Sequence, residues 1–131
     1  MKNLSWEEFQ DTVNSCLIRH KSIIDILSKI HESSARVNRA VSKSVTSCGC
    51  MQVNAKKQQI PSEIKLCELI SYMDCHTKGK PCSSCREIIE QEIGNNLFYL
   101  AALCNILGLS LKDIIYAENE KLLTLGIYNL S

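Results

Sequence analysis

Two close pairs of cysteines are the residues of this chain best suited to chemistry. Cys48 and Cys50 are separated by one glycine, and Cys82 and Cys85 are separated by two serines. A tetrahedral metal ion needs four ligands within a few ångströms, and a short spacing brings two thiolates together at once. The pattern therefore predicts a four-cysteine metal site, and an all-sulfur ligand set favours zinc over an iron–sulfur cluster.

Two other interpretations of these cysteines stay open, namely an unliganded reduced set and a redox pair or disulfide. The chain opens with charged residues where a secretory signal needs an apolar stretch, which predicts a cytoplasmic protein with no membrane contact. Cytoplasmic cysteines are mostly reduced, so metal binding or redox chemistry is favoured over a disulfide framework. Cys75 and His76 are spare ligands, either of which can replace one of the four.

The other three cysteines lie on apolar faces of predicted helices, where a cysteine usually behaves as a small buried hydrophobic residue. We therefore expect burial at Cys16, Cys67 and Cys104.

The composition predicts one helical domain over residues 1–131. Hydrophobic residues make up 45% of the chain, which is enough for one core. Five glycines, two prolines and a 5% aromatic fraction favour long helices over a turn-rich β-sandwich. The net charge of +1 argues against nucleic-acid binding.

Capping boxes, in which a serine is followed three residues later by an acid, mark three helix starts. They lie at Ser5, Ser84 and Ser110. With apolar spacing and the stops at Gly108 and Gly126, they predict an all-α bundle of four or five helices. The predicted helices cover residues 5–20, 22–45, 62–73, 84–107 and 111–125.

Two loops, residues 47–61 and 74–83, carry the cysteine pairs and form a metal-binding insertion around the third helix. A short extended piece is expected at residues 51–54.

Two apolar stripes are expected to face the core of the bundle. On the second helix the stripe is interrupted once, by Ser34, and consists of Ile23, Leu27, Ile30, Ser34, Val37, Val41 and Val45. On the fourth helix it consists of Ile89, Ile93, Leu97, Leu100, Cys104 and Leu107.

Residues 92–111, which read Glu-Ile-Gly-Asn-Asn-Leu-Phe-Tyr-Leu-Ala-Ala-Leu-Cys-Asn-Ile-Leu-Gly-Leu-Ser-Leu, resemble the second half of the MazG-type all-α nucleoside triphosphate pyrophosphohydrolases. That family has Glu-x-x-Asp on this helix, then an apolar run, a glycine helix end and a further helix bearing Asn and Lys. Asn119 and Lys121 fall at the matching places. Residues 4–10 and 29–41 resemble the family's opening helix and its Glu-Glu-x-x-Glu helix.

The resemblance implies a magnesium site built from four or five carboxylates. Glu32 and Glu92 keep two of the five acids, whereas Ser33, Arg36 and Asn95 replace the others. Two carboxylates hold a magnesium pair poorly, so the resemblance implies the fold with its activity lost. Arg36 is expected to neutralise Glu92 where the metal would lie.

Three basic residues, Arg36, Arg39 and Lys43, share one face of the second helix. They form either a solvated face or a phosphate-binding surface for a nucleotide or RNA, and the lack of interleaved aromatic residues disfavours RNA. On the resemblance, a nucleotide would be bound by Arg36, Arg39, Asn95, Asn119 and Lys121.

The leading hypothesis is a non-catalytic, metal-stabilised MazG-like protein that binds a nucleotide, another phosphate ligand or a protein. A magnesium-dependent pyrophosphohydrolase is the second hypothesis, with either Glu32 and Glu92 or a rearranged set of Glu87, Glu90 and Glu92. A thiol-based redox or metal sensor is the third. The resemblance also implies a homodimer, because the related fold buries its apolar helix faces between subunits.

Overall fold

The computed structural model describes residues 3–17, 19 and 21–126, and it is predominantly helical, as predicted. The four α-helices are α1 (Trp6–Cys16), α2 (Ile23–Lys43), α3 (Ser83–Leu107) and α4 (Leu111–Leu125). Between α2 and α3 lie a π-helical turn (Ser44–Cys48), strand β1 (Gln52–Val53), a 3-10 helix (Leu66–Tyr72) and strand β2 (Thr77–Lys78). The two strands pair antiparallel, with Gln52 opposite Lys78 and Val53 opposite Thr77. The extended piece expected near residue 52 is therefore present.

Two of the three capping boxes are confirmed. The Ser5 Oγ atom accepts a hydrogen bond from the Glu8 N–H (3.1 Å), and the Ser110 Oγ atom accepts one from the Asp113 N–H (3.2 Å). The third box is wrong, because α3 begins one residue before Ser84 and Cys82 occupies its cap position. Cys82 has the extended backbone that is typical of a cap residue, so the helix starts earlier than the serine pattern indicates.

The predicted helix over residues 62–73 is shorter and tighter than expected. Only Leu66–Tyr72 is helical, in a 3-10 conformation, and none of its residues is buried. Short helices depend on tertiary packing, so a segment that buries nothing lacks the stabilisation that a longer α-helix requires. The first helix ends at Cys16, before the expected limit, and its predicted last residue, His20, lies outside the described residues.

Helices α2 and α3 form an antiparallel hairpin, and the stripe predicted on α2 is confirmed only in part. Its members Ile23, Ile30, Val37 and Val45 are partly buried, whereas at three predicted positions the residue before it faces the contact instead. The residues of α2 and the π-helical turn that are fully buried are Ile26, Ser33 and Ser44, whereas Leu27 and Val41 are exposed. Ser34 therefore does not interrupt the contact. Instead, the Asn96 side chain of α3 donates to Ser33 Oγ (2.9 Å) and to Ser34 Oγ (3.1 Å).

The stripe predicted on α3 is likewise confirmed only in part. Cys104 is buried, but Ile93 and Leu107 are exposed. The residues of α3 that complete the core are instead two alanines, Ala101 and Ala102, which are both fully buried. Small side chains allow the neighbouring helices to approach α3 closely.

The hydrophobic core lies at one end of this hairpin, where α1 and α4 join α2 and α3. It is small, and its buried members are Val13, Leu17, Ile26, Ala101, Ala102, Cys104 and Leu111. Gln10 fixes the corner between α3 and α4, because its amide donates to Asn105 Oδ1 (2.9 Å) and to the Leu109 carbonyl (2.8 Å) and accepts from the Leu111 N–H (2.8 Å). The opposite end of the hairpin, among the described residues, contains no buried apolar side chain.

Within the described part of the chain, no single helix combines the length and apolar content needed to cross a membrane. Taken together α3 and α4 meet that criterion, although they are bent by 108° at residues 108–110.

Candidate metal centre

The two predicted cysteine pairs meet at the end of the hairpin that lacks a hydrophobic core. The sulfur atoms of Cys48, Cys50, Cys82 and Cys85 all lie within 4.8 Å of one another, and those of Cys48 and Cys82 are 3.8 Å apart. Four sulfurs arranged tetrahedrally at about 2.3 Å from a zinc ion would be about 3.8 Å from each other. The prediction that these four residues form one cluster able to hold a metal ion is confirmed.

The first pair is presented by the turn that ends α2. The π-helical turn closes at Gly49, which has a left-handed backbone (φ +80°) that favours glycine. The Ser44 carbonyl accepts hydrogen bonds from the Gly49 N–H (2.9 Å) and from the Cys50 thiol (3.6 Å). The reversal at Gly49 therefore directs both cysteine side chains to the same side of the turn.

The second pair is presented by the first turn of α3. Cys82 caps the helix and Cys85 lies three residues later, so both sulfurs are on one side of the helix. The backbone N–H of Cys85 donates to the Cys82 sulfur, and that of Cys50 donates to the Cys48 sulfur. Such N–H groups, with the positive end of the α3 dipole, stabilise thiolates.

The two-stranded sheet brings a third backbone segment against the cysteines. Gly79 follows β2 with φ +85°, and a Cβ atom at this position would lie 2.7 Å from the Cys50 carbonyl oxygen. Only glycine fits this close approach without moving the Cys50 backbone. Gly79 lies in the loop predicted at residues 74–83, but no sequence pattern indicates this role, because the contact joins residues far apart along the chain.

The four thiols share protons unequally in the absence of a metal. Hydrogen bonds from the Cys85 backbone and side chain lower the pKa of Cys82 to about 7. The same contact raises the pKa of Cys85 to about 12, because its proton is held by the neighbouring Cys82 thiolate. The pKa of Cys48 is raised chiefly by its contact with Cys82. The cluster therefore loses its first proton near neutral pH and retains others until a cation binds.

In metal-free protein, Cys82 is expected to be the first of the four to be alkylated by iodoacetamide. Thiolate is the reactive form, so the alkylation rate should rise through pH 7 and level off by about pH 8. An ordinary cysteine, with a pKa near 8.5, would continue to gain reactivity above pH 8. Peptide mass spectrometry after short pulses between pH 6 and 9 measures these rates, and a Cys82 profile that still rises steeply at pH 9 would contradict the assignment.

The two spare ligands do not join the cluster in the described structure. Cys75 is exposed, and its sulfur lies 2.9 Å from Thr77 Oγ1, an interaction that lowers its pKa. His76 has a left-handed backbone (φ +62°) and is absent from the group of sulfurs. The four cysteines named from sequence are thus the complete group found in the described residues.

Burial is predicted for the other three cysteines, and the structure buries one of them. Cys104 is buried as expected, and burial raises the pKa of its thiol. Cys16 and Cys67 are exposed, so their predicted burial is wrong. Cys16 is the last residue of α1, and Cys67 lies in the 3-10 helix that buries nothing.

A groove of about 520 Å³ runs between α2 and α3 next to the cluster. It is lined by Glu32, Ala35, Arg36, Arg39, Ala40, Lys43, Cys85, Ile88 and Glu92. Six residues singled out from sequence therefore share one cavity, namely Glu32, Arg36, Arg39, Lys43, Cys85 and Glu92.

The ion pair expected between Arg36 and Glu92 is wrong. Arg36 instead pairs with Glu32, four residues earlier on the same helix, at 3.2 Å, and Lys29 pairs with Glu32 at 3.1 Å. These two cations lower the pKa of Glu32, the Lys29 hydrogen bond contributing most. Arg36 prefers Glu32 to Glu92 because residues four positions apart on one helix are neighbours, whereas Glu92 lies on α3. The Glu92 Oε2 atom is buried and has no hydrogen-bond partner among the described residues.

The other proposed nucleotide-binding residues lie elsewhere. Asn95 is an exposed residue of α3 outside the lining of the groove. Asn119 and Lys121 are on α4, where Lys121 pairs with Glu118 at 3.1 Å. Glu87 and Glu90 are exposed on α3 and also do not line the groove. A nucleotide site using all five predicted residues is not assembled in a single chain.

No family model, curated protein or solved structure matches this chain. The resemblance to MazG-type proteins therefore stays a prediction that rests on the residues quoted above.

Proposed function

We propose that this chain is a zinc-stabilised, non-catalytic helical protein that binds a phosphate-bearing ligand, on a MazG-like scaffold. One observation carries the proposal: Cys85 belongs to the four-sulfur cluster and also lines the groove between α2 and α3. A metal at the cluster would thus fix one wall of the groove. The proposal assigns the metal a structural role and the groove the binding role.

The chemistry of the donors supports zinc as the metal. Four cysteine thiolates without an additional ligand position are typical of structural zinc sites, whereas catalytic sites keep a position for water. An iron–sulfur cluster also uses four thiolates and is the alternative occupant. We propose a cytoplasmic location, where reduced thiols persist.

The free cations of the groove support an anionic ligand. Among the described residues Arg39 and Lys43 form no ion pair, and they lie one helical turn apart on the groove face of α2. Lys43 is in the last turn of α2, where its positive charge also interacts favourably with the negative end of the helix dipole and with the nearby thiolates. Arg39 is therefore the residue best placed to donate hydrogen bonds to a phosphate.

Other groups in the groove support a ligand larger than inorganic phosphate. The unpartnered Glu92 Oε2 atom can accept a hydrogen bond from a hydroxyl or amino group. Ala35, Ala40 and Ile88 supply an apolar wall, and the volume of about 520 Å³ is within the range of small-molecule sites. A nucleotide combines phosphate, hydroxyl and amino groups with a flat apolar face.

Replacing Arg39 with alanine is expected to weaken nucleotide binding. A hydrogen bond to a charged group contributes about 1.5–3 kcal/mol, so the dissociation constant for ATP should rise roughly ten- to a hundredfold. Isothermal titration of the zinc-loaded protein with ATP, pyrophosphate and phosphate measures the change. Arg86→Ala is the matched control, because Arg86 is an exposed arginine of α3 that does not line the groove.

The proposal fails if wild-type protein binds none of the three anions, or if Arg86→Ala weakens binding as much as Arg39→Ala. Magnesium-dependent release of pyrophosphate from ATP would instead favour the hydrolase hypothesis. The groove offers two acids for that reaction, and one of them, Glu32, already pairs with two cations.

Thiol-based sensing is a second candidate function, favoured by the 3.8 Å separation of the Cys48 and Cys82 sulfurs. A peroxide can accept two electrons and two protons from the two thiols, which joins the sulfurs as a disulfide and releases water. A disulfide bond is about 2.05 Å long, so its formation needs only a small movement. Loss of these two thiolates would release a bound metal, which links oxidation to a change in the groove wall.

A further inference from the structure

The part of the chain around the metal centre contains basic residues and no acids. Residues 33–62 and 75–86, which we call the basic end, comprise the second half of α2, both strands, the four clustered cysteines and the start of α3. The basic end contains eight Lys and Arg residues but neither Asp nor Glu, whereas the rest of the chain contains all 14 acids and only seven bases. The net charge of +1 is therefore the sum of two regions of opposite sign, and it does not argue against a polyanionic partner at the basic end.

The eight bases of the basic end are accessible to a partner, because all of them are exposed. Within the described residues, Arg36 is the only one of the eight that forms an ion pair, with Glu32. Three of the eight line the groove between α2 and α3, whereas Lys78 lines a second cavity beside β1. The positive charge is thus distributed over two sides of the basic end. A zinc ion held by four thiolates has a charge of about −2, so it would leave most of this positive charge uncompensated.

The uncharged side chains of the basic end favour a duplex phosphate backbone over a protein, a membrane or a single strand as the partner. Neither of its two stretches contains Trp, Tyr or Phe. Aromatic residues anchor many protein interfaces and membrane-surface helices, and single-stranded nucleic acids stack their bases on them. The basic end instead exposes hydroxyl and amide side chains, among them Ser47, Gln52, Asn54 and Ser84. Such side chains commonly donate hydrogen bonds to phosphate oxygens.

We propose that the basic end binds double-helical nucleic acid through its phosphates, without reading the base sequence. A DNA duplex carries one negative charge per about 1.7 Å of its axis, and exposed Lys and Arg residues that contact it release condensed counterions. Cations on two sides of one end fit a duplex, because a phosphate strand runs along each edge of its grooves. The phosphates repel the acidic remainder of the chain, so the protein approaches the duplex with the metal centre first.

This surface extends beyond the groove that is proposed for a small ligand. Five of the eight bases do not line that groove, namely Lys56, Lys57, Lys78, Lys80 and Arg86. Gln52 is opposite Lys78 in the sheet, and the Cα atoms of Gln52 and Lys56, four residues apart, are separated by at most about 14 Å. A duplex presents roughly eight phosphates over that length. The four lysines can therefore contact several phosphates of one duplex, and they can be replaced without altering the groove.

Fluorescence anisotropy on the zinc-loaded full chain tests this binding, with labelled DNA and RNA duplexes of about 24 base pairs and single-stranded DNA of the same length. We expect a dissociation constant of about 1–10 µM for a duplex at about 0.1 M salt, weakening steeply as the salt concentration rises. A variant with glutamine at four lysines should bind a duplex at least about thirtyfold more weakly, and its slope of log K against log salt should be smaller by about three to four. Its substitutions are Lys56→Gln, Lys57→Gln, Lys78→Gln and Lys80→Gln.

The matched control removes the same charge from the acidic remainder, with Lys21→Gln, Lys29→Gln, Lys112→Gln and Lys121→Gln. Its duplex binding should stay within about threefold of wild type, because long-range repulsion is largely screened by salt. Zinc content and circular dichroism should be unchanged in both variants.

ATP titration separates this surface from the groove. The variant that replaces Lys56, Lys57, Lys78 and Lys80 should bind ATP as wild type does, because three of these lysines are absent from both cavities and Lys78 lines the other one. A wild-type protein that binds a duplex but not ATP would refute the small ligand proposed for the groove and leave the present proposal intact. Binding of either duplex supports the proposal, and the comparison of DNA with RNA identifies the source of the phosphates. No binding of either duplex, an equal loss in the two four-lysine variants, or tighter binding to single-stranded DNA or to vesicles with about 30% phosphatidylserine would overturn it.

Discussion

Replacing Cys85 with serine is expected to lower the midpoint of thermal unfolding of the zinc-loaded protein by about 15 °C. The substitution removes one of four thiolates from the cluster, and the end of the hairpin that contains the cluster has no buried apolar side chain among the described residues. A metal present at a thousand times its dissociation constant contributes about 4 kcal/mol, which corresponds to a shift of that size for a chain of this length. Differential scanning calorimetry with and without a chelator measures it.

The matched control for Cys85→Ser is Cys67→Ser, because Cys67 is exposed and outside the cluster. That variant should unfold within about 1–2 °C of wild type, as surface substitutions usually do. Chelation should lower the midpoint of wild type and Cys67→Ser but leave Cys85→Ser nearly unchanged. An equal response of all three proteins to the chelator would show that the cluster contributes no stability through a metal.

Truncating Ile26 to alanine is expected to destabilise the other end of the hairpin by about 3 kcal/mol. Ile26 has no accessible surface and lies in the core where α2 meets α3. Removing its side chain loses buried apolar surface and leaves a cavity, which should lower the unfolding midpoint by about 10 °C. Chemical denaturation monitored by circular dichroism measures the loss of stability.

Ile24→Ala is the control for this truncation. Ile24 lies two residues earlier on the same helix, on the solvent side, and is 67% exposed. It should change the free energy of unfolding by less than about 0.5 kcal/mol. The Ile26→Ala variant should still bind metal, because the cysteine cluster lies at the opposite end of α2. Loss of metal binding in Ile26→Ala under conditions where the protein is folded would contradict a division of the hairpin into two separately stabilised ends.

Local patterns explain which features of the fold could be predicted from sequence. The caps at Ser5 and Ser110 depend on hydrogen bonds three residues apart, and both form as expected. The cap at Ser84 does not form because Cys82, two residues earlier, takes the extended cap conformation and Ser84 is already helical. The segment at residues 62–73 has helical spacing, but it packs against nothing that would stabilise an α-helix, so only a 3-10 helix forms.

The cysteine cluster was predictable because each pair is held by short-range geometry. A glycine turn positions Cys48 and Cys50, and a single helical turn positions Cys82 and Cys85, so only the meeting of the two pairs required tertiary structure. The close approach of Gly79 to the Cys50 carbonyl could not be inferred, since it depends on the pairing of β1 with β2.

Polar contacts between distant helices were also missed, and they alter the interpretation of single residues. The bonds from Asn96 to Ser33 and from Gln10 to Asn105 join positions more than 60 residues apart. The first shows that a polar residue, Ser33, takes part in the α2–α3 contact, where the apolar pattern predicts only hydrophobic residues. Arg36 shows the reverse case, because a partner on its own helix, Glu32, competes successfully with the more distant Glu92.

We propose that the four cysteines bind one metal ion and thereby close the end of the α2–α3 hairpin that, among the described residues, has no buried apolar side chain. Metal analysis of protein purified under reducing conditions, combined with thiol titration before and after chelation, tests it most directly. We predict one zinc ion per chain and four thiols that become reactive only after the chelator is added. A metal-free protein whose Cys48, Cys50, Cys82 and Cys85 react without chelation, with no change in stability, would contradict the claim.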